Sequence, residues 1–216
     1  MSEPARTPFL AWPGWRHLRA AWGISLLVAI WFCVVYGGAD WLTAQRQARV
    51  RVHFDFELRI PLVPAFTLGY MSIYFLFIGA PLILREREAI GRLARQLSVT
   101  IALAGIGFLL VPGALAYPPP QDLGVWEKLF RFADWLNLDY NLVPSLHVAL
   151  SVVCLEHFAA RASAEGTWLL RVWGMLIAVS TLFTHQHHLL DVLTGYALAL
   201  GVVRVAGRNN SAGPSR

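Results

Sequence analysis

The chain has 216 residues, of which 56% are hydrophobic and 14% charged, and its mean hydropathy is +0.52. A soluble domain usually carries about 25% charged residues, so this composition indicates an integral membrane protein and excludes a disordered or collagen-like chain. The net charge is +5, but the basic residues stand in short clusters between apolar runs, which indicates membrane topology rather than nucleic-acid binding.

Uncharged runs predict six membrane spans in a single domain. A helix needs about 20 apolar residues to cross a bilayer, and three early runs reach that length: 20–39, 60–84 and 97–121. Three later runs are shorter or contain a charged residue: 140–155, 168–184 and 189–203. We therefore expect an all-α membrane domain over residues 1–216, with its core at about 20–204 and a polar tail at 205–216. Polar groups within the last three spans make these the expected place of a functional site.

The distribution of basic residues predicts the orientation, because Lys and Arg concentrate on the cytoplasmic side of membrane proteins. The side with both termini carries twelve: Arg6, Arg16, Arg19, Arg85, Arg87, Arg92, Arg95, Arg161, Arg171, Arg204, Arg208 and Arg216. The other side carries six: Arg46, Arg49, Arg51, Arg59, Lys128 and Arg131. Both termini are therefore expected in the cytoplasm, with the connection 118–139 and the turn 185–188 on the outer face.

The fourth predicted span begins with Pro144, Ser145, Leu146 and His147. Pro is favoured in the first turn of a helix, where unpaired backbone N–H groups form a site for an anion. Ser145 would add a hydroxyl donor to a bound phosphate, and His147 lies in the same turn. The alternative is an ordinary helix cap followed by an interfacial histidine.

A second motif lies at the start of the sixth predicted span. His187 and Asp191 are four residues apart, so on a helix they share a face, and the carboxylate can hold the imidazole in one tautomer. Such a pair supplies the base of a nucleophilic site and the group that orients it. The alternative is a structural pair that closes the end of a helix. The orientation puts His147 and His187 on the same face of the membrane. Together with His185 and His188 they leave a zinc site as a further alternative, but Asp191 explains His187 better, and we expect no metal or other cofactor.

The two motifs resemble the second and third motifs of the type-2 phosphatidic acid phosphatase superfamily, Pro-Ser-x-His and Ser-Arg-x5-His-x3-Asp. They fall here at 144–147 and 180–191, in wording most similar to the branch that includes inositol phosphorylceramide synthases. The resemblance implies six transmembrane helices with the active site at the outer ends of the last three to four. It also implies that His187 attacks phosphorus to form a phosphohistidine, that Asp191 orients it, and that His147 protonates the leaving lipid oxygen.

The chain departs from the family pattern in its cations. The first motif, Lys-x6-Arg-Pro, would fall at 111–118, where only the final Pro118 remains, and Thr181 stands in place of the Arg of the third motif. A phosphoryl group in a partly dry site needs charge compensation, so we expect a basic residue of the long connection 118–139 to fold back and bind the phosphate. The candidates are Lys128 and Arg131, followed by Arg51 and Arg59 on the same side.

The resemblance implies a lipid phosphate phosphatase that acts on a monoester or diphosphate in the bilayer, with no nucleic-acid partner. If a hydroxyl group replaces water as the acceptor, the same site is a phosphotransferase that moves a phosphorylated head group between lipids. A second alternative is a non-catalytic lipid-binding membrane protein that keeps the fold without turnover. The presence of His147, His187 and Asp191 together favours an enzyme.

Overall fold

The computed structural model describes residues 8–211, with side chains as far as residue 206. This part of the chain is helical and contains no β-strand, in agreement with the predicted all-α class. Its helices are α1 (Trp15–Ala44), α2 (Thr67–Met71), α3 (Ile73–Ile83), α4 (Arg87–Leu110), α5 (Glu127–Leu136), α6 (Leu146–Ala159), α7 (Ala164–Phe183) and α8 (Leu189–Ser211). Short 3-10 turns occur at Asp55–Arg59, Pro64–Phe66 and Gly124–Trp126.

Five helical segments within the described residues are long and apolar enough to cross a membrane, rather than the six predicted. They are α1, the combined segment Pro64–Ile83, α4, α7 and the Leu189–Ala206 part of α8. The fourth predicted span, 140–155, corresponds to α6, which has only 14 residues because the uncharged run begins in an irregular segment that ends at Ser145. Ten residues of α6 are buried by other parts of the protein. Because these residues face protein and not lipid, α6 does not need the length of a helix that crosses the bilayer.

The third predicted span, 97–121, was wrong at both ends. The helix begins at Arg87, so that Arg87, Arg92 and Arg95 lie in its first turns and not in a loop. It ends at Leu110 because Pro112 and the prolines that follow cannot continue a helix. The three arginines still lie at the end of α4 to which the orientation count assigned them.

α8 extends beyond the apolar run at 189–203. It continues through the start of the predicted polar tail at 205–216 and reaches Ser211. Residues 212–216 lie outside the described part of the chain, as do residues 1–7. The orientation count therefore includes two arginines, Arg6 and Arg216, that the structure does not describe.

α6 is the central helix of the bundle. It packs against α3, α4, α7 and α8, and its residues Ala149, Val153 and Cys154 are completely buried. α1 lies at the periphery, packs mainly on α4, and exposes large apolar side chains such as Trp22 and Leu27. An exposed apolar face of this extent suits contact with lipid tails.

The N-terminal ends of α6 and α8 meet, and this contact joins the two sequence motifs. The backbone N–H of Ser145 donates to the carbonyl oxygen of Asp191 at 2.8 Å. One turn further along α8, Gly195 lies so close to the Ser145 carbonyl that a Cβ atom there would overlap the oxygen. Close approach of the two backbones therefore depends on a residue without a side chain.

Candidate active site

His187 and Asp191 form a buried pair at the start of α8. Nδ1 of His187 lies 3.3 Å from Oδ2 of Asp191, and the two side chains are 9% and 0% exposed. The same Oδ2 accepts the backbone N–H of His188 at 2.8 Å. His187 precedes the helix, so the pair spans the helix start rather than sharing a helical face. The carboxylate favours the tautomer with the proton on Nδ1 and leaves Nε2 with a lone pair for attack.

His147 lies in the first turn of α6 and is held by Tyr70. Its ring stacks on the Tyr70 ring with centroids 3.9 Å apart, and Nε2 donates to the Tyr70 carbonyl at 2.8 Å. This contact leaves Nδ1 as the nitrogen for proton transfer. His147 and His187 line the same cavity, so the structure brings together the two histidines of the sequence motifs.

Ser145, the predicted phosphate ligand of the first motif, is the N-cap of α6. Its Oγ accepts the backbone N–H of Val148 at 3.3 Å, and the residue is completely buried. The helix-cap role considered for this motif is therefore present in the structure. The cap uses only the oxygen as an acceptor, so the hydroxyl proton is what Ser145 would offer a phosphate.

A large apolar cavity ends at the two histidines. It has a volume of about 430 Å³ and is lined by apolar side chains of α1, α3, α4 and α6. Its polar end consists of Tyr36, Tyr70, Asn137, Asn141, His147 and His187. On α1 the lining residues run from Ile24 to Tyr36, about 18 Å at 1.5 Å per residue. This depth exceeds half of the roughly 30 Å hydrocarbon core of a bilayer, so the cavity can hold one lipid chain.

A small polar cavity also has His187 in its lining. Its volume is about 60 Å³, and it shares Tyr36, Asn137, Asn141 and His187 with the large cavity. Further polar residues in its lining are Asp134, Asp139 and Gln186. His187 therefore stands where an apolar and a polar compartment meet.

A chain of hydrogen bonds fixes the side chains of the small cavity. The Tyr70 hydroxyl donates to Oδ1 of Asn137 at 2.7 Å. Nδ2 of Asn137 donates to Oε1 of Gln186 at 2.6 Å, and Nε2 of Gln186 donates to Oδ1 of Asp134 at 3.1 Å. Each amide group thus accepts one hydrogen bond and donates one within the protein.

Glu57 and His188 form a second buried pair that the sequence did not reveal. Both side chains are 0% exposed, and Nδ1 of His188 donates to Oε2 of Glu57 at 3.1 Å. The same Oε2 accepts the backbone N–H of Leu189 at 3.0 Å, while Nε2 of His188 accepts that of Ala116 at 3.2 Å. Glu57 therefore fastens the start of α8 next to the catalytic candidate His187. The partners are 131 residues apart, so no local spacing pattern could have indicated them.

The buried His188 ring predicts a pH dependence of stability. Burial lowers the pKa of His188, although Asp191 and Glu57 act in the opposite direction. Below pH 6.5 the unfolded chain binds more protons on this ring than the folded chain does, so the free energy of unfolding should fall as the pH drops below about 6.5. We expect the thermal midpoint in detergent to decrease from pH 7.5 to 5.5, and to decrease less in His188→Gln. An equal decrease in the variant would contradict this assignment.

The basic residues proposed to compensate a phosphate lie away from the cavities. Lys128 and Arg131 are exposed on α5, where Nε of Arg131 donates to Glu127 at 3.1 Å. Arg51 pairs with Asp55, and Arg59 is exposed. No Lys or Arg lines either cavity in the described part of the chain.

Apolar residues and Tyr117 occupy the segment where the first family motif would fall. The Tyr117 ring stacks on His185 and His188, with centroids 3.9 and 4.6 Å away. Burial, with Glu57 and Asp191 nearby, raises the pKa of Tyr117 to about 12, so its hydroxyl stays neutral. The segment therefore contributes an aromatic packing surface and no charge.

The neighbouring histidines do not converge on a common point. Nε2 of His185 donates to the carbonyl of Ile60 at 2.9 Å, whereas His187 pairs with Asp191 and His188 with Glu57. Among the residues that the structure describes, no group of three or more His, Cys, Asp or Glu is arranged to hold a metal ion. The zinc alternative therefore has no ligand set there.

The fold and site define a helical membrane protein with a buried histidine–carboxylate pair at the end of a cavity the size of a lipid chain. A family model described as PAP2 superfamily matches residues 50–205, which include both motifs and extend from before α2 into α8. The match covers well over half of the chain, which therefore belongs to the PAP2 superfamily. This membership supports an enzyme that acts on phosphate esters of lipids in a bilayer.

Proposed function

We propose that the protein is a lipid phosphoryl-transfer enzyme in which His187 is the nucleophile and a phosphodiester lipid is the substrate. The observation that carries this proposal is the buried His187–Asp191 pair, which opens into the same cavity as His147. The apolar cavity would receive a lipid chain and set the phosphate at its polar end. The protein supplies both the nucleophile and the acid, so the reaction as written uses only groups of this chain.

In the first step, Nε2 of His187 attacks phosphorus and the bond from phosphorus to the diacylglycerol oxygen breaks. His147, protonated before the step, gives its proton to that oxygen, and the lipid alcohol leaves. The product on the enzyme is a phosphohistidine that still carries the head group. Asp191 stabilises the positive charge that develops on the His187 ring through the contact with Nδ1.

In the second step, the oxygen of an acceptor attacks phosphorus and the bond from phosphorus to Nε2 of His187 breaks. His147, now neutral, takes the acceptor proton and returns to its starting state. With a lipid hydroxyl as acceptor the head group moves to a new lipid. With water the head group leaves as its phosphate ester.

The charges around the site favour a phosphodiester over a monoester. A phosphodiester carries one negative charge and a monoester up to two. In the described residues the groups that line the cavity and can compensate a negative charge are His147, when it carries a proton, and the N-terminal end of α6. Lys128 and Arg131 remain predicted ligands, but they lie exposed on α5. Phosphatase activity on a monoester or diphosphate is the second candidate, favoured by the motifs shared with the superfamily.

The direct test is a substrate panel with the purified full chain in mixed micelles. Phosphodiester lipids, phosphatidic acid and a lipid diphosphate are offered with a diacylglycerol of distinguishable chains, so that water and a lipid hydroxyl compete as acceptors. We expect the phosphodiesters to be cleaved fastest. Faster release of inorganic phosphate from phosphatidic acid or the diphosphate would favour the phosphatase. Binding without cleavage of any lipid would favour a non-catalytic protein.

The large cavity predicts a chain-length preference that one substitution should change. Ala94 on α4 lines its distal part, so Ala94→Phe would fill space that a long chain occupies. We expect the variant to lose activity on dioleoyl lipids relative to dioctanoyl lipids by about 10-fold, because a few methylenes in an apolar pocket are worth this much. Leu103→Phe is the control, since Leu103 lies on the same helix, is exposed, and does not line the cavity. Equal chain-length profiles would contradict the assignment.

A further inference from the structure

We propose that the small polar cavity binds the head group of the lipid, and that this head group is a small primary ammonium group of the ethanolamine type. The inference rests on the proposed function, because it places the phosphate at His187 between the two cavities. With the lipid chain in the apolar cavity, the ester substituent on the other side of phosphorus enters the polar one. Size, hydrogen-bonding capacity and charge of the small cavity each bear on what that substituent is.

The volume of the small cavity favours a small head group. It is about 60 Å³, against about 430 Å³ for the large cavity. An ethanolamine chain is smaller than a ring polyol such as inositol, so the size of the cavity favours the ethanolamine type.

One buried acceptor of the cavity lining has no donor in the described structure. Asn137 and Gln186 each accept one hydrogen bond through the amide oxygen and donate one through the amide nitrogen within the protein. Asn141 is 2% exposed and donates through Nδ2 to the carbonyl of Tyr36, but its buried Oδ1 has no partner in the described structure. A buried acceptor without a donor is unfavourable, so a ligand that places an N–H or O–H group beside Asn141 would be stabilised.

The charge of the small cavity's lining favours a head group whose hydrogen-bond donor is a cation. Asp134 and Asp139 line this cavity, and no Lys or Arg does so in the described residues. An additional negative charge on the head group would be repelled there, whereas an ammonium group would be attracted. It would also neutralise the phosphodiester to which it is linked, which suits a site without basic side chains. A primary ammonium carries the N–H donors that Asn141 needs, and a quaternary ammonium does not.

Binding to the full-length His187→Asn variant tests the inference without turnover. Dioleoyl phosphatidylethanolamine, phosphatidylcholine, phosphatidylglycerol and phosphatidylinositol are titrated in mixed micelles and quantified by native mass spectrometry. We expect phosphatidylethanolamine to bind about 10-fold more tightly than phosphatidylglycerol. Combined Asp134→Asn and Asp139→Asn substitutions should reduce this ratio about 5-fold, since exposed carboxylates contribute modestly. Asn at position 134 keeps the acceptor for Gln186.

Asp122→Asn is the matched control, because it removes one carboxylate from the same connection outside the cavity, at a backbone conformation that Asn tolerates. It should leave the ratio unchanged. The inference is overturned if phosphatidylglycerol or phosphatidylinositol binds as tightly as phosphatidylethanolamine. It is also overturned if phosphatidylcholine does so, or if the double substitution does not change the ratio. The substrate panel reports on the proposed function separately: wild-type turnover of phosphodiesters without head-group selectivity would retain the function and refute the inference.

Discussion

The substitution His187→Ala is expected to lower turnover by about 1,000-fold or more, because it removes the atom that bonds to phosphorus. The side chain is 9% exposed and is tied to Asp191 at 3.3 Å, so the loss comes from chemistry and from one buried contact. The measurement is the initial rate of head-group release in mixed micelles, with the thermal midpoint recorded in parallel. Near-normal activity in a folded variant would refute the phosphohistidine mechanism.

Asp191→Asn should lower the rate by about 100-fold while the protein remains folded. An amide oxygen can still accept the backbone N–H of His188, but it does not stabilise a positively charged His187 ring. His185→Asn is the control in the same turn. His185 has a positive φ of 56°, which Asn tolerates, and its ring contacts the Ile60 carbonyl rather than the proposed phosphate. We expect this control to retain most of its activity.

The second large effect is expected from Gly195→Ala. This substitution removes no reacting group, but it lies where the backbones of α6 and α8 touch. The new Cβ atom would overlap the carbonyl oxygen of Ser145, and a carbonyl of a helix cap has little room to move. α8 must therefore shift away from α6 and carry Asp191 with it. A displacement of about 1 Å in a catalytic group can reduce the rate by about 100-fold, which is the loss we expect.

Gly201→Ala on the same helix provides the matched control for that experiment. A Cβ atom at Gly201 meets nothing within 4 Å, so this variant should keep both activity and thermal midpoint. If Gly195→Ala were as active as Gly201→Ala, the contact between the motifs would not control the geometry of the site.

The parts of the fold that sequence predicted were those determined locally. Polar residues within apolar runs singled out His147, His187 and Asp191, and the structure brings the two histidines to one cavity. The ends of the helices were predicted less well from the sequence. The uncharged run 140–155 does not distinguish the irregular segment before Leu146 from the helix after it. The run 97–121 begins only after the arginines that α4 contains in its first turns.

The parts that sequence did not predict depend on contacts between distant segments. Glu57 reaches His188 across 131 residues. The placement of Lys128 and Arg131 depends on how α5 docks. Burial of Phe130 and Ala133 turns the basic residues outward, and this choice of face required the packed structure.

The central claim is that phosphorus becomes bonded to His187 during the reaction, and a quench experiment measures this bond directly. The full chain is mixed with a phosphodiester lipid without a lipid acceptor, denatured within the first turnover at alkaline pH, and digested for mass spectrometry. We expect a peptide with His187 whose mass is increased by the phosphorylated head group, and no such adduct in His187→Ala. Turnover by the wild type with an adduct on another residue, or with direct transfer and no adduct at any quench time, would contradict it.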